Sequence, residues 1–170
     1  MATAGVVVKP IHYKGGAIMP KNIEEIISSK LTGDAQTNAL ALAAHIMGKT
    51  GKFAISMHDE NDESGWVVAD LGFIMISGTS EFPGPWTMWI SAANIGAKTQ
   101  DAISDCTKEF AWKHVSPCGS CGGTCTPGVN TSFFGKAFEN TCQANLMFTN
   151  PDTDAVDGMK KIIDIIASEL

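Results

Sequence analysis

The spacing of hydrophobic residues changes twice along this chain, and those changes restrict the fold more than any single motif does. After Asn22, the residues Ile23, Ile26, Ile27 and Leu31 recur at the three-to-four-residue spacing of an amphipathic helix. Gly33 stops that helix, and Asp34, a good N-cap residue, opens a second one that runs through "AQTNALALAAHIMG" to a glycine stop at Gly48. The next forty residues alternate instead. Phe53, Ile55 and Met57 share one parity, "GWVVADLGFIMISG" is a β-rich run broken at "ADLG", and "WTMWISA" is aromatic and apolar. The acidic "HDENDES" between them lacks the ligand spacing and glycine of a calcium loop and reads as a solvated hairpin tip. "FPGPW" reads as a stiff turn, because two fixed φ angles flank one permissive residue.

From about Thr99 the helical spacing returns, with Ile103, Cys106 and Phe110 on one side of "TQDAISDCTKEFAWKHV". On that side Cys106 reads as a small core residue. "NTSFFGKAFENTC" can hold a short strand. The chain closes on a helix capped by Asn150, with Pro151 in its first turn and Asp152 at the positive end of its dipole. Val156, Met159, Ile163, Ile166 and Leu170 form the buried stripe of that helix. Helices that flank a block of strands, rather than alternating with them, indicate an α+β fold. The expected architecture is a small antiparallel sheet of three to five strands, packed on one face by about four helices and carrying a cysteine-rich metal-binding loop.

With 170 residues and no repeat or linker, one domain is expected over residues 19–170. Residues 1–18 read as an N-terminal extension. Lys14, Gly15 and Gly16 can be encoded by AAAGGAGGT, a bacterial ribosome-binding sequence just ahead of Met19, which makes Met19 the expected start of translation. The competing reading is an N-terminal strand in "GVVVKPIHY".

Composition removes several function classes. The net charge is −6 and all twelve basic residues are lysine. Without arginine forks for phosphates and guanine edges, and with an acidic surface, no nucleic-acid partner is expected. No apolar run approaches the roughly 18 residues of a membrane span, so no membrane partner is expected either. The short apolar run at Ala4 to Val8 has its lysines after it, which is not a secretory signal, and a cytoplasmic location follows as the expectation. In that compartment clustered thiols stay reduced and more often serve as ligands or catalysts than as disulfides.

The cysteines give the clearest chemistry. Cys118, Cys121, Cys125 and Cys142 form C-x2-C-x3-C-x16-C, with Gly119, Gly122 and Gly123 between the first three. Four thiolates complete a tetrahedral zinc site, and intervening glycines let the backbone fold around the ion. A fourth ligand arriving from a distance makes the site a staple between loop and domain body. His114, four residues before Cys118, is an alternative ligand. An iron–sulfur cluster uses the same four thiolates and stays open as a second cofactor reading. Thioredoxin-like chemistry is disfavoured, because "CGSC" runs into "GGTCTPG", which cannot begin a good helix.

Trp66, Met75, Trp86, Met88 and Trp89 are candidates to line an apolar ligand pocket against the sheet; core packing is the competing reading. No nucleophile elbow, phosphate loop or paired catalytic set is present, so catalytic residues are not assigned. The expected partner is a small molecule or another protein. No heptad or exposed apolar stripe specifies an oligomer.

The order "PGPWTMW", "KEFAW", "C-x2-C-x3-C-x-PG", "FGKAFENTC" and "F-x-NPD" resembles a group of small uncharacterised bacterial and archaeal proteins, over roughly Met19 to the C-terminus. The resemblance implies a recurring cysteine-rich loop, with the matched cysteines as ligands. It implies no established activity.

Overall fold

The computed structural model describes residues 23–49, 52–60, 63–68, 70–76, 84–91, 95, 99–100, 103–119 and 128–170. Among these are four helices, α1 (Ile23–Lys30), α2 (Gly33–Met47), α3 (Asp105–Lys113) and α4 (Thr153–Glu169). The strands are β1 (Ile55–Glu60), β2 (Glu63–Val68), β3 (Gly72–Ile76), β4 (Thr87–Ile90), β5 (Val115–Pro117), β6 (Val129–Phe133) and β7 (Lys136–Thr149). All pair antiparallel in one sheet of order β1-β2-β3-β4-β7-β5, with β6 also on β7. The α+β class holds, but the sheet has seven strands rather than three to five.

The difference comes from the C-terminal half. "FGKAFENTC" is not an isolated short strand but the start of a 14-residue strand, β7, on which β4, β5 and β6 all pair. It enters through a two-residue hairpin in which Phe133 opposes Lys136 while Phe134 and Gly135 take φ of 52° and 77°. Two positive φ values give a turn whose twist matches the flanking strands. Glycine suits this, whereas phenylalanine does not. Phe134 is nevertheless buried, with its ring against Phe133 and its N–H donating to Gln100 Oε1 at 2.9 Å.

Side-chain alternation sorts the sheet into two faces. Ile74, Met88 and Phe148 form one cross-strand row, and Ile90 and Leu146 extend the same face. Against them pack Ile26 and Ile27 of α1, Leu42 and Ile46 of α2, and Val156, Met159, Ile162, Ile163 and Ile166 of α4, all in one buried core. Phe73, Met75, Thr87, Trp89 and Met147 fall on the opposite parity. Strands β3 and β4 approach closely at Gly72, whose φ is +153° and where an added Cβ would lie 1.9 Å from the Trp89 carbonyl oxygen.

Helix ends depart from the sequence reading in detail. Thr32, not Asp34, precedes α2, while Gly48 caps its C-terminus as expected. Asp152, not Asn150, caps α4, its Oδ1 accepting from the Ala155 N–H at 2.8 Å. Buried Asn38 ties that corner to α2, donating from Nδ2 to the Pro151 carbonyl at 3.1 Å and accepting from the Thr153 hydroxyl at 3.2 Å. Leu170 is 48% exposed and leaves the expected stripe at Ile166 and Ala167. Helix α3 is shorter than its sequence pattern, starting after the N-cap Ser104.

Candidate metal centre

The loop carrying the middle cysteines is anchored at both ends to one point on β7. Its incoming strand β5 and outgoing strand β6 both reach Thr141: Pro117 pairs with it on one side and Val129 on the other. The Cys118 N–H donates to the Asn140 carbonyl at 2.7 Å, and the Thr141 hydroxyl donates to the Val129 carbonyl at 3.0 Å. Asn140 takes a φ of 50°, and its N–H donates to Asn130 Oδ1 at 3.0 Å. Gly128 closes the loop against this point. A Cβ there would sit 2.4 Å from the Cys118 Cβ and 2.5 Å from Asn140 Oδ1, so only glycine fits.

Cys118 and Cys142 therefore flank the same Pro117–Thr141 pair, as diagonal neighbours across β5 and β7, and both are half-buried. Just beyond, β7 departs from regular pairing: residues 142–145 stand between Thr141 and Leu146, where β5 offers only Ser116 between Pro117 and Val115. Such an excursion re-aims side chains locally, and excursions of this kind are common beside functional sites. Cys121 and Cys125 lie outside the described residues. Among the described residues no three His, Cys, Asp or Glu side chains cluster as a ligand set.

His114 sits elsewhere. Its carbonyl accepts from the Met147 N–H at 3.0 Å, well along β7 from Cys142, and its ring packs 4.3 Å from Phe148 and 4.9 Å from Phe110. Burial in this aromatic setting pushes its pKa below the usual histidine value, although the Met147 backbone and Asp152 work the other way. The structure thus places the alternative ligand in an aromatic cluster rather than beside Cys118.

The five candidate pocket residues do not share one surface. Trp86 and Met88 belong to the helix-covered core, whereas Met75 and Trp89 are buried on the opposite parity, with the Trp89 ring 5.8 Å from Phe73. Trp66 pairs in register with Met57 and Ile74, and its side chain lies outside the described part of the molecule. Among the described residues, two buried polar atoms on opposite faces of the sheet, Trp86 Nε1 and Thr87 Oγ1, have no hydrogen-bond partner. A buried polar group without a partner is uncommon and carries a desolvation penalty.

Cys106 corrects another expectation. It is exposed in the first turn of α3, not packed in the core. Beside it, Ile103, Ser104 and Thr107 join Thr99 and Lys161, Asp164 and Ile165 of α4 around an open cavity of about 360 Å³. Sequence spacing missed this feature because it depends on how α3 lies against α4.

No described helix is long and apolar enough to cross a membrane. Comparison with protein families, curated proteins and solved structures returned no match.

Proposed function

We propose that this chain is a cytoplasmic zinc-binding domain in which Cys118, Cys121, Cys125 and Cys142 hold one structural zinc ion, and whose folded body serves a small-molecule or protein partner. One observation carries the reading. Both ends of the loop bearing Cys121 and Cys125 return to the Asn140–Thr141 step of β7, next to Cys142, and Gly128 lets the loop base close on Cys118. A short loop pinned this way keeps its remaining thiols within reach of that point. Four thiolates suit tetrahedral zinc, whose closed sites contribute directly to folding.

The ion would tie β5, which pairs with β7 at only two positions, to β6 and the irregular segment of β7. Its role is that of a clamp, closing the loop on the body of the domain.

Elemental analysis and absorption spectroscopy of freshly purified protein test the proposal. About one zinc per chain is expected, with a colourless spectrum and a melting temperature that falls on chelation. Cys142→Ser should lose the metal and Cys106→Ser should keep it. Folded, metal-free protein with five titratable thiols would overturn the assignment, and visible absorption with bound iron would replace zinc by an iron–sulfur cluster.

A further inference from the structure

We propose that the outer edge of β1 pairs with the same edge of a second copy of this chain, making a two-fold dimer with one continuous antiparallel sheet. At one end of the sheet, β5 is blunted: it has three residues, one of them Pro117. β1 stands at the other end, runs six residues without proline and pairs only with β2 among the described residues. Such an edge presents a row of backbone donors and acceptors that a second strand can use.

Which groups face outward follows from the hairpin. Glu60 pairs with Glu63 across a two-residue connection, so this closing pair exchanges both ladder bonds. Alternation then turns the N–H and C=O of Ser56, His58 and Glu60 toward β2, and those of Ile55, Met57 and Asp59 toward the open side. The core is incomplete at this edge too: Phe53 and Ile55 pack against it yet are only partly buried.

Charge selects the occupant and the register. The hairpin sets Glu60 directly opposite Glu63, within a seven-residue stretch, "HDENDES", that holds four acidic residues and no lysine. Like charges directly opposed destabilise a ladder. Lys52, exposed and three residues before β1, makes no ion pair among the described residues. When two β1 edges meet antiparallel with Ser56 on the two-fold axis, Lys52 of each copy comes opposite Glu60 of the other. The same register sets Ile55 opposite Met57, which joins the outward-facing backbone groups, and sets exposed Ser56 opposite itself. Moving the axis to Ile55 or Met57 keeps the backbone bonds but loses the Lys52–Glu60 match. Two-fold symmetry makes that match twice, which a second copy supplies without any further partner.

Sedimentation equilibrium on the full chain, from micromolar to millimolar protein, tests this. The mass should shift reversibly from 18.0 kDa toward twice that value. Lys52→Glu should raise the dissociation constant about tenfold at low salt, because two attractive cross-strand pairs become two repulsive ones. Glu60→Lys should weaken the dimer likewise, and the double variant should return to the parent value. Ser56→Cys, oxidised by added glutathione disulfide, should give a dimer linked through position 56 of both copies. Directly opposed residues outside the hydrogen-bonded pairs lie about 4.5 Å apart at Cα, within disulfide reach. Peptide mass spectrometry distinguishes that link from any made by the native cysteines. A chain that stays monomeric throughout, or a dimer indifferent to both charge reversals and lacking the link at position 56, would overturn the proposal. So would hydrogen exchange showing the Ile55 and Met57 amides protected in dilute monomer, since another segment of the chain would then hold the edge. β1 lies at the opposite end of the sheet from β5 and the cysteine loop, so the result is independent of the zinc assignment.

Discussion

At Gly72 the chain leaves no room for a side chain. The Trp89 carbonyl oxygen occupies the place of a Cβ at 1.9 Å, and the glycine φ of +153° is one that other residues rarely adopt. Gly72→Ala must therefore move β3 away from β4 at the centre of the sheet, and a loss of about 3 kcal/mol or more in urea unfolding is expected. Nothing in "DLGFIMI" distinguishes this glycine from one that merely ends a turn, because the clash is with a residue seventeen positions later. His114 is a second case. Its aromatic surroundings hold its pKa below the usual value of about 6.5, so the folded state prefers the neutral ring while the unfolded chain binds a proton more readily. The stability this contributes is fully present above the unfolded pKa and is lost as pH falls through the lower folded value. Urea midpoints measured from pH 7.5 downward should fall below about pH 6.5, less steeply in His114→Phe than in the parent chain. Cys106 shows why residue patterns mislead: helical spacing groups it with Ile103 and Phe110, but only the docking of α3 on α4 decides which of that group is covered.

The elements that were legible are those whose sequence carries a complete local signal. Helix α4 has an amphipathic stripe and a favourable start, and four of its five expected stripe residues are buried. The cap itself was misplaced by two positions, since Asn150, Pro151 and Asp152 are all acceptable near a helix start; the hydrogen bond from Ala155 to Asp152 selects among them. Asp152→Ala should lower stability by about 1 kcal/mol, measurable as a shifted denaturation midpoint without a change in slope. Strand β7 was illegible for the opposite reason. It reads as a glycine-interrupted polar segment, and its identity as a 14-residue strand comes from partners that begin at Thr87, Val115 and Val129. A strand's length is set by what pairs with it as much as by its own residues.

For the molecule as a whole, β7 is the shared part. Its Leu146–Thr149 end pairs with β4 beneath the helices, and its Lys136–Thr141 end pairs with β6 at the base of the cysteine loop. Removal of the proposed zinc should therefore act on more than the loop. Chelation is expected to lower the melting temperature of the main transition and to increase hydrogen exchange first in β5 and β6, with α2 and α4 protected longest. An unchanged main transition would confine the metal's effect to the loop. Alternation and helical periodicity by themselves determined the α+β class and the helix-covered sheet, because each is a local property of side-chain spacing. The tertiary structure alone decided that the seven described strands share one sheet, that His114 joins an aromatic cluster, and that Cys106 is exposed rather than packed in the core. These depend on register and docking between segments distant in the chain, where a shift of one residue reverses every face without changing the composition of any segment.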